Sequence, residues 1–273
     1  MKKTFSSKKS AFSLIELSIV LIIIGLLIAG ITGGASLIKS SELRSIMGEA
    51  RGYAVAVNSF FTQYDQYPGD SSIAVGNSNQ GQGDRDNKIE FVNDATTAFF
   101  EGVDAWYDLK DIGAIDLALG LSGTTAAPSA LVPVNHIPGS KIKGAGWVFD
   151  YNISTLQNVV VLTGTTAAYV AAPAAGTPGT PTNTSTLVNG LNYASADGPL
   201  ATRNASTEII SAPDSLSIDS KIDDGKPNSG NVQSINQATL DTECSTSGTS
   251  GLYLVAAGAK KVCVLTFRVD VSS

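Results

Sequence analysis

The chain has 273 residues, 43% of them hydrophobic and only 15% charged, with two cysteines and one histidine. That length holds one large domain or two small ones. A formal charge of −6 lacks the basic footprint of a nucleic-acid binder, and one histidine with no Cys-x-x-Cys pair cannot build a zinc centre.

The first eleven residues hold Lys2, Lys3, Lys8 and Lys9 and no acid. Taking them away leaves 14 basic residues against 24 acidic ones, near −10, a balance that suits an exported surface. Behind them runs AFSLIELSIVLIIIGLLIAG, Ala11 to Gly30, with Glu16 near its start. The 22 residues from Leu17 to Ile38 carry no charge. At about 1.5 Å each they cross the roughly 30 Å hydrocarbon layer of a bilayer. The four lysines hold that end on the cytoplasmic side, so the expected topology is single-pass, N-terminus in, with the bulk of the chain exported. A cleaved secretory signal would have a shorter apolar run. A plain anchor leaves Glu16 without a purpose, and a carboxylate at the edge of a membrane span is costly enough to suggest function.

The stretch KKSAFSLIELSIVLIIIGLLIAG resembles the leader and first helix of type IV pilins and type II secretion pseudopilins over roughly residues 8–36. That family has a short basic leader, a small residue, Phe, and a carboxylate on the fifth mature residue. The resemblance implies that a prepilin peptidase cuts between Ala11 and Phe12 and methylates the new amine of Phe12. It also implies that Glu16 meets the terminal amine of a neighbouring subunit and sets register during assembly. Two departures stand out: Ala11 replaces the usual Gly before the cut, and Gly33-Gly34 stands where many members have a helix-kinking proline. Two glycines weaken a helix by about 1 kcal/mol each relative to Ala.

Beyond the apolar run, Leu43, Ile46, Ala50, Tyr53, Val57, Phe60 and Tyr64 recur at alternating spacings of 3 and 4. That is an apolar stripe at helical period, with Glu42, Arg44, Glu49, Arg51 and Asn58 off it. One helix is therefore expected from about Phe12 to Gln66, ending at the breaker Tyr67-Pro68-Gly69-Asp70. Its second half needs a cover, for which a sheet is the natural choice.

Residues 69–88 read as loop, and Asp84 and Asp86 in GDRDNKIEF echo the alternate oxygen ligands of a calcium loop. The first ligand position holds Gln82 and the twelfth Asn93, so a solvated acidic loop is the alternative. Residues 94–112 read as a helix with core aromatics. Gly146–Asn152 and Leu156–Thr163 read as strands, and Gly164–Thr186 as low-complexity loop. The Asn-x-Ser strings at Asn152, Asn183 and Asn204 carry no weight in so polar a chain. Ala212–Gly230 reads as a short helix closed by an Asp-Asp-Gly turn. This segment, YPGD at 67–70 and AWYDL at 105–109 are more loosely similar to segments of larger prepilin-like proteins. Asp219, Asp223 and Asp224 could bind calcium, as pseudopilins often do in a C-terminal loop, with helix capping as the stronger alternative. The last strand alternates imperfectly over Val262–Val269. In an oxidising compartment Cys244 and Cys263 form a disulfide by default, two buried thiols being the other reading. Such a bond would resemble the C-terminal loop of type IV pilins.

No enzyme motif is present: no P-loop, no Gly-x-Ser-x-Gly, and no nucleophile motif beside His136. The expected fold is α+β, a pilin-like ladle with a long N-terminal helix packed on an antiparallel sheet. Its parts are a leader at 1–11, a transmembrane and assembly helix at 12–38, an amphipathic half at 39–67 and an exported domain at 68–273 with a disulfide loop at 244–263. The expected function is a structural subunit, cleaved, methylated and polymerised into a type IV pilus or a type II secretion pseudopilus. No cofactor is expected, calcium being the one candidate ion, and its partners are the prepilin peptidase, other pilin or pseudopilin subunits and an inner-membrane assembly platform. The alternatives are a minor, initiating subunit at a filament tip and a membrane-anchored binding or hydrolytic domain.

Overall fold

The computed structural model describes residues 13–73, 83, 85–89, 101–116, 137–152, 155–164, 209–235, 244–246 and 251–271. The chain divides into two compact units, Met1–Glu42 and Leu43–Ser273.

Helix α1 runs over Leu14–Tyr64. Its first unit carries its large apolar side chains in the open, from Leu14, 88% exposed, to Leu37, 73% exposed. By length and composition it could cross a membrane. A helix apolar all round needs lipid or other helices as its surroundings. From Leu43 onward the same helix buries one stripe: Leu43, Ile46, Met47, Ala50, Tyr53, Ala56, Val57 and Phe60. Met47 and Ala56 widen the stripe read from the sequence, and Tyr64 is half-buried. The helix ends two residues before the expected Gln66. Asp65 donates the last helical bond to Phe61 O at 2.8 Å and turns left-handed with φ 55°, a conformation that Asp tolerates.

Helix α2 spans Glu101–Asp111; residues 94–100, where the sequence suggested its start, lie outside the described residues. Strands β1 (Ala145–Asn152) and β2 (Gln157–Gly164) form an antiparallel hairpin, each within one residue of its expected bounds. Short β3 (Ile210–Ser211) leads into helix α3 (Ala212–Ile222). Ser211 caps α3, its hydroxyl accepting the Asp214 amide, and a proline occupies the first turn. Strand β4 (Val232–Ile235) and the final β5 (Lys261–Arg268) complete a five-stranded sheet. β5 lies at its centre, antiparallel to β2, β3 and β4. That explains its imperfect alternation: Val262 to Phe267 are all buried, so both faces are covered. The architecture is α+β, a long N-terminal helix with an antiparallel sheet.

An aromatic seam joins the stripe to the sheet. Tyr53 meets Trp106 of α2 edge-on, with ring centroids 4.8 Å apart, and Trp147 of β1 at 5.6 Å. Trp106 stacks on Phe149 at 4.1 Å, and Trp147 touches Phe267 of β5. Trp106 of AWYDL is thus core, and Tyr107 beside it is half-buried against that core.

Candidate functional site

The start of α1 is a capping box. The four first amides of a helix have no intrahelical partner. Ser13 Oγ accepts from the Ile15 amide at 3.3 Å, and Glu16 Oε2 reaches back to accept from the Ser13 amide at 2.9 Å. Ser-x-x-Glu is the sequence signature of that arrangement. Ala11 and Phe12 lie outside the described residues. Glu16 itself is exposed, and among the described residues its Oε1 makes no hydrogen bond. What the site can do is electrostatic: it presents a carboxylate at the end of an apolar helix.

Within the second unit, Glu49, beside the apolar stripe and half-buried, has a role the sequence did not disclose. Its Oε2 accepts from Trp147 Nε1 at 2.9 Å and from Ser140 Oγ at 3.0 Å. This pins α1 to β1 and to the segment entering it.

The YPGD turn is a junction. Gly69 has φ 82°, and an added Cβ would sit 2.3 Å from Glu101 O, so only glycine fits against α2. The Gly69 amide donates to Asp108 Oδ2 at 2.8 Å. Buried Asp70 accepts from the amides of Arg85 and Asp86 on Oδ1 and of Asn87 on Oδ2. Asn158 of β2 holds the same strand of loop, accepting from the Ile89 amide at 2.7 Å and donating to Asn87 O at 3.1 Å. Asp86 itself caps Lys88, accepting from its amide at 2.9 Å and pairing with its ammonium. Asp84, like Gln82 and Asn93, lies outside the described residues. Within the described residues, then, the acidic loop is organised by Asp70 and Asn158, two residues that the calcium-loop spacing did not single out.

Asp219, Asp223 and Asp224 do come together: each offers a carboxylate oxygen within 4.8 Å of the others. Asp219 is buried, its Oδ2 accepting from Tyr253 OH at 2.8 Å and its Oδ1 from the Gly225 amide at 3.1 Å. Burial pushes its carboxyl up to about 6. The two hydrogen bonds oppose that rise, and the charges of Asp224 and Asp223 add to it. Asp223 Oδ2 accepts from the Asn231 and Val232 amides, and Asp224 accepts from the Lys226 amide and the Ser229 hydroxyl. A Cβ at Gly230 would land 1.6 Å from Asp223 Oδ2, so the backbone closes tightly over this carboxylate.

Cys244 and Cys263 are joined, with Cα atoms 5.3 Å apart. The bridge ties the segment before η1 (Val255–Ala257) to β5, and the Leu254 amide donates back to Cys244 O. His136, Asn183 and Asn204 lie outside the described residues; Asn152 ends β1 and donates to Gln233 Oε1.

Compared with known families, residues 6–32 match the prokaryotic N-terminal methylation motif. No curated protein matches the chain, and no solved structure does.

Proposed function

From a chain that carries the methylation motif, the signature of type IV pilins and pseudopilins, we propose a prepilin-like structural subunit. It is cut between Ala11 and Phe12, methylated on Phe12 and polymerised into a type IV pilus or a type II secretion pseudopilus. The motif itself implies processing by a prepilin peptidase and assembly with other pilin subunits. The observation that carries the reading is α1. Its first residues lie in the motif, its apolar side chains there are exposed, and its last turns form the core of a sheet domain. Before assembly the apolar half sits in the inner membrane, N-terminus in the cytoplasm, with residues 68–273 exported. In the filament these helices bundle, and Glu16 meets a neighbour's terminal amine, so both charges are desolvated together.

Mass spectrometry of the mature chain tests this. A methylated Phe12 at the N-terminus is expected, and the protein should be found in sheared surface fibres or in fibres formed on secretion-system overexpression. An intact Met1, or a start near Ser36, would leave a membrane-anchored binding or hydrolytic domain as the better reading. A second reading, a minor subunit that initiates or tips the filament, draws support from the large second unit, Leu43–Ser273. Low abundance in purified fibres would favour it.

The cluster at the end of α3 fits calcium by its donor set, since three hard carboxylate oxygens in mutual reach are what that ion takes. When bound, the ion would neutralise the repulsion among Asp219, Asp223 and Asp224. The chain's own hydrogen bonds already orient these carboxylates. A rise in melting temperature with calcium, lost in Asp223→Asn, is expected; no rise would leave the cluster as a helix cap.

A further inference from the structure

We infer that the sheet edge nearest the chain's entry into the second unit is a docking surface for anionic lipid headgroups, carried by Arg44, Lys141, Lys143 and Lys261. The inference rests on the membrane-anchored state proposed above. The chain enters this unit at Leu43, five residues after Ile38 closes the uncharged run. Connectivity alone keeps this edge beside whatever surrounds that run. Strand register brings the cations to it. β1 is antiparallel to β2, and β2 to β5, so β1 and β5 begin at the same edge. Val148 pairs with Val161, and Val161 with Thr266, which puts Ala145 level with Cys263 and Lys261 two residues beyond. Two strand spacings of about 4.8 Å separate β1 from β5. Lys141 and Lys143 sit in the turn that leads into β1, where the Ser140 amide donates to Ala145 O and the Ala145 amide to Ile142 O. Ser140, next to Lys141, donates its hydroxyl to Glu49, which lies five residues after Arg44 on α1. The far edge is marked by Tyr67, beyond the end of α1, whose hydroxyl accepts from the Val271 amide.

The four side chains are exposed. None of them forms an ion pair among the described residues, whereas Lys88 pairs with Asp86 and Arg268 with Asp270. The acids nearby are engaged within the fold. Glu49 accepts from Trp147 and Ser140. Asp214 accepts from the hydroxyl of Ser211, the residue that pairs with Lys261. Set against Glu42 at the entry, the excess at this edge is positive, in a chain whose 24 acids outnumber its 18 bases. Lys and Arg beside a membrane span are drawn to the phosphates of anionic lipids, over a screening length of about 8 Å in physiological salt. Docking of this kind fixes which edge of the unit rests on the bilayer before assembly.

The test reconstitutes the full chain in vesicles of phosphatidylcholine alone, or of phosphatidylcholine with an equal part of phosphatidylglycerol. Acetylation of each lysine is followed by mass spectrometry at low ionic strength. Lys141, Lys143 and Lys261 are expected to react about fivefold more slowly in the anionic vesicles and to recover in high salt. Lys221 and Lys226 are the reference. Both are exposed, and they flank Asp223, whose carboxylate meets the start of β4 at the opposite edge. They should react alike in the two vesicles. Uniform slowing of all five lysines overturns the inference. Equal rates throughout also overturn it, and leave this edge to an acidic face of another protein. Flotation of the chain with the vesicles is read first. A chain that does not float overturns the membrane reading and this inference with it, whereas one that floats and reacts equally overturns this inference alone.

Discussion

Trp147 of β1 donates its indole N–H to Glu49 of α1 across 2.9 Å, joining residues 98 positions apart in the chain. Trp147 is fully buried, so Glu49 is the group that satisfies its N–H, and with it the hydroxyl of Ser140. Replacing Glu49 by Ala strands both donors. A loss of about 1–3 kcal/mol is expected, read by denaturant titration of the full chain in detergent. Glu49→Gln, which retains an acceptor oxygen, should lose less. Equal losses in the two variants would refute the assignment.

Asp70 gathers three successive backbone amides, those of Arg85, Asp86 and Asn87. Asp70→Ala should release this loop, with hydrogen exchange at residues 85–89 accelerated well before that of β1 and β2. Retention of slow exchange there would show that Asn158 suffices to hold the segment.

Asp104 on α2 is buried, and its Oδ2 lacks a hydrogen-bond partner among the described residues. Burial pushes its carboxyl up to about 8, and the charges of Asp108 and Asp111 add to the rise. A carboxyl raised in the folded state favours folding least when ionised. Its stability cost is absent below the ordinary value near 4, grows as pH rises from about 4 to about 8, and is constant above that. Asp104→Asn should therefore leave the melting temperature nearly unchanged at pH 4 and raise it at pH 8. A melting difference independent of pH would exclude ionisation as the cause.

The Cys244–Cys263 bridge closes a loop with a sequence separation of 19. In the chain-entropy account such a closure contributes about 3 kcal/mol. Reduction, or the double replacement by Ser, should lower the unfolding free energy by about that much while leaving the first unit of α1 unaffected. An unchanged denaturant midpoint would contradict it.

On the proposed prepilin reading, Glu16→Ala should leave the protein in the membrane and absent from fibres, because the apolar run is untouched while the carboxylate proposed to act in assembly is gone. Normal fibres from this variant would remove Glu16 from the assembly role.

What the sequence determined by itself was local or periodic. The leader charges, the uncharged run to Ile38 and the stripe from Leu43 to Phe60 dictate a helix with two environments, because periodicity and hydrophobicity are properties of neighbours along the chain. The hairpin strands and α3 announced themselves for the same reason. Even the capping box at Ser13 was written in Ser-x-x-Glu, though its spacing passes unnoticed beside the methylation motif. Long-range pairing was not legible. Glu49 looked like a solvated face residue until Trp147 arrived opposite it. Asp86 drew notice for its calcium-loop spacing; its carboxylate is engaged by Lys88, and the acid that gathers the amides of its loop is Asp70, fifteen or more residues earlier. The central place of β5 likewise depended on β2, β3 and β4 meeting it from three distant parts of the chain. Hydrogen bonds of this kind are chosen by which buried donors the folded backbone leaves unsatisfied, and only the tertiary structure decides that.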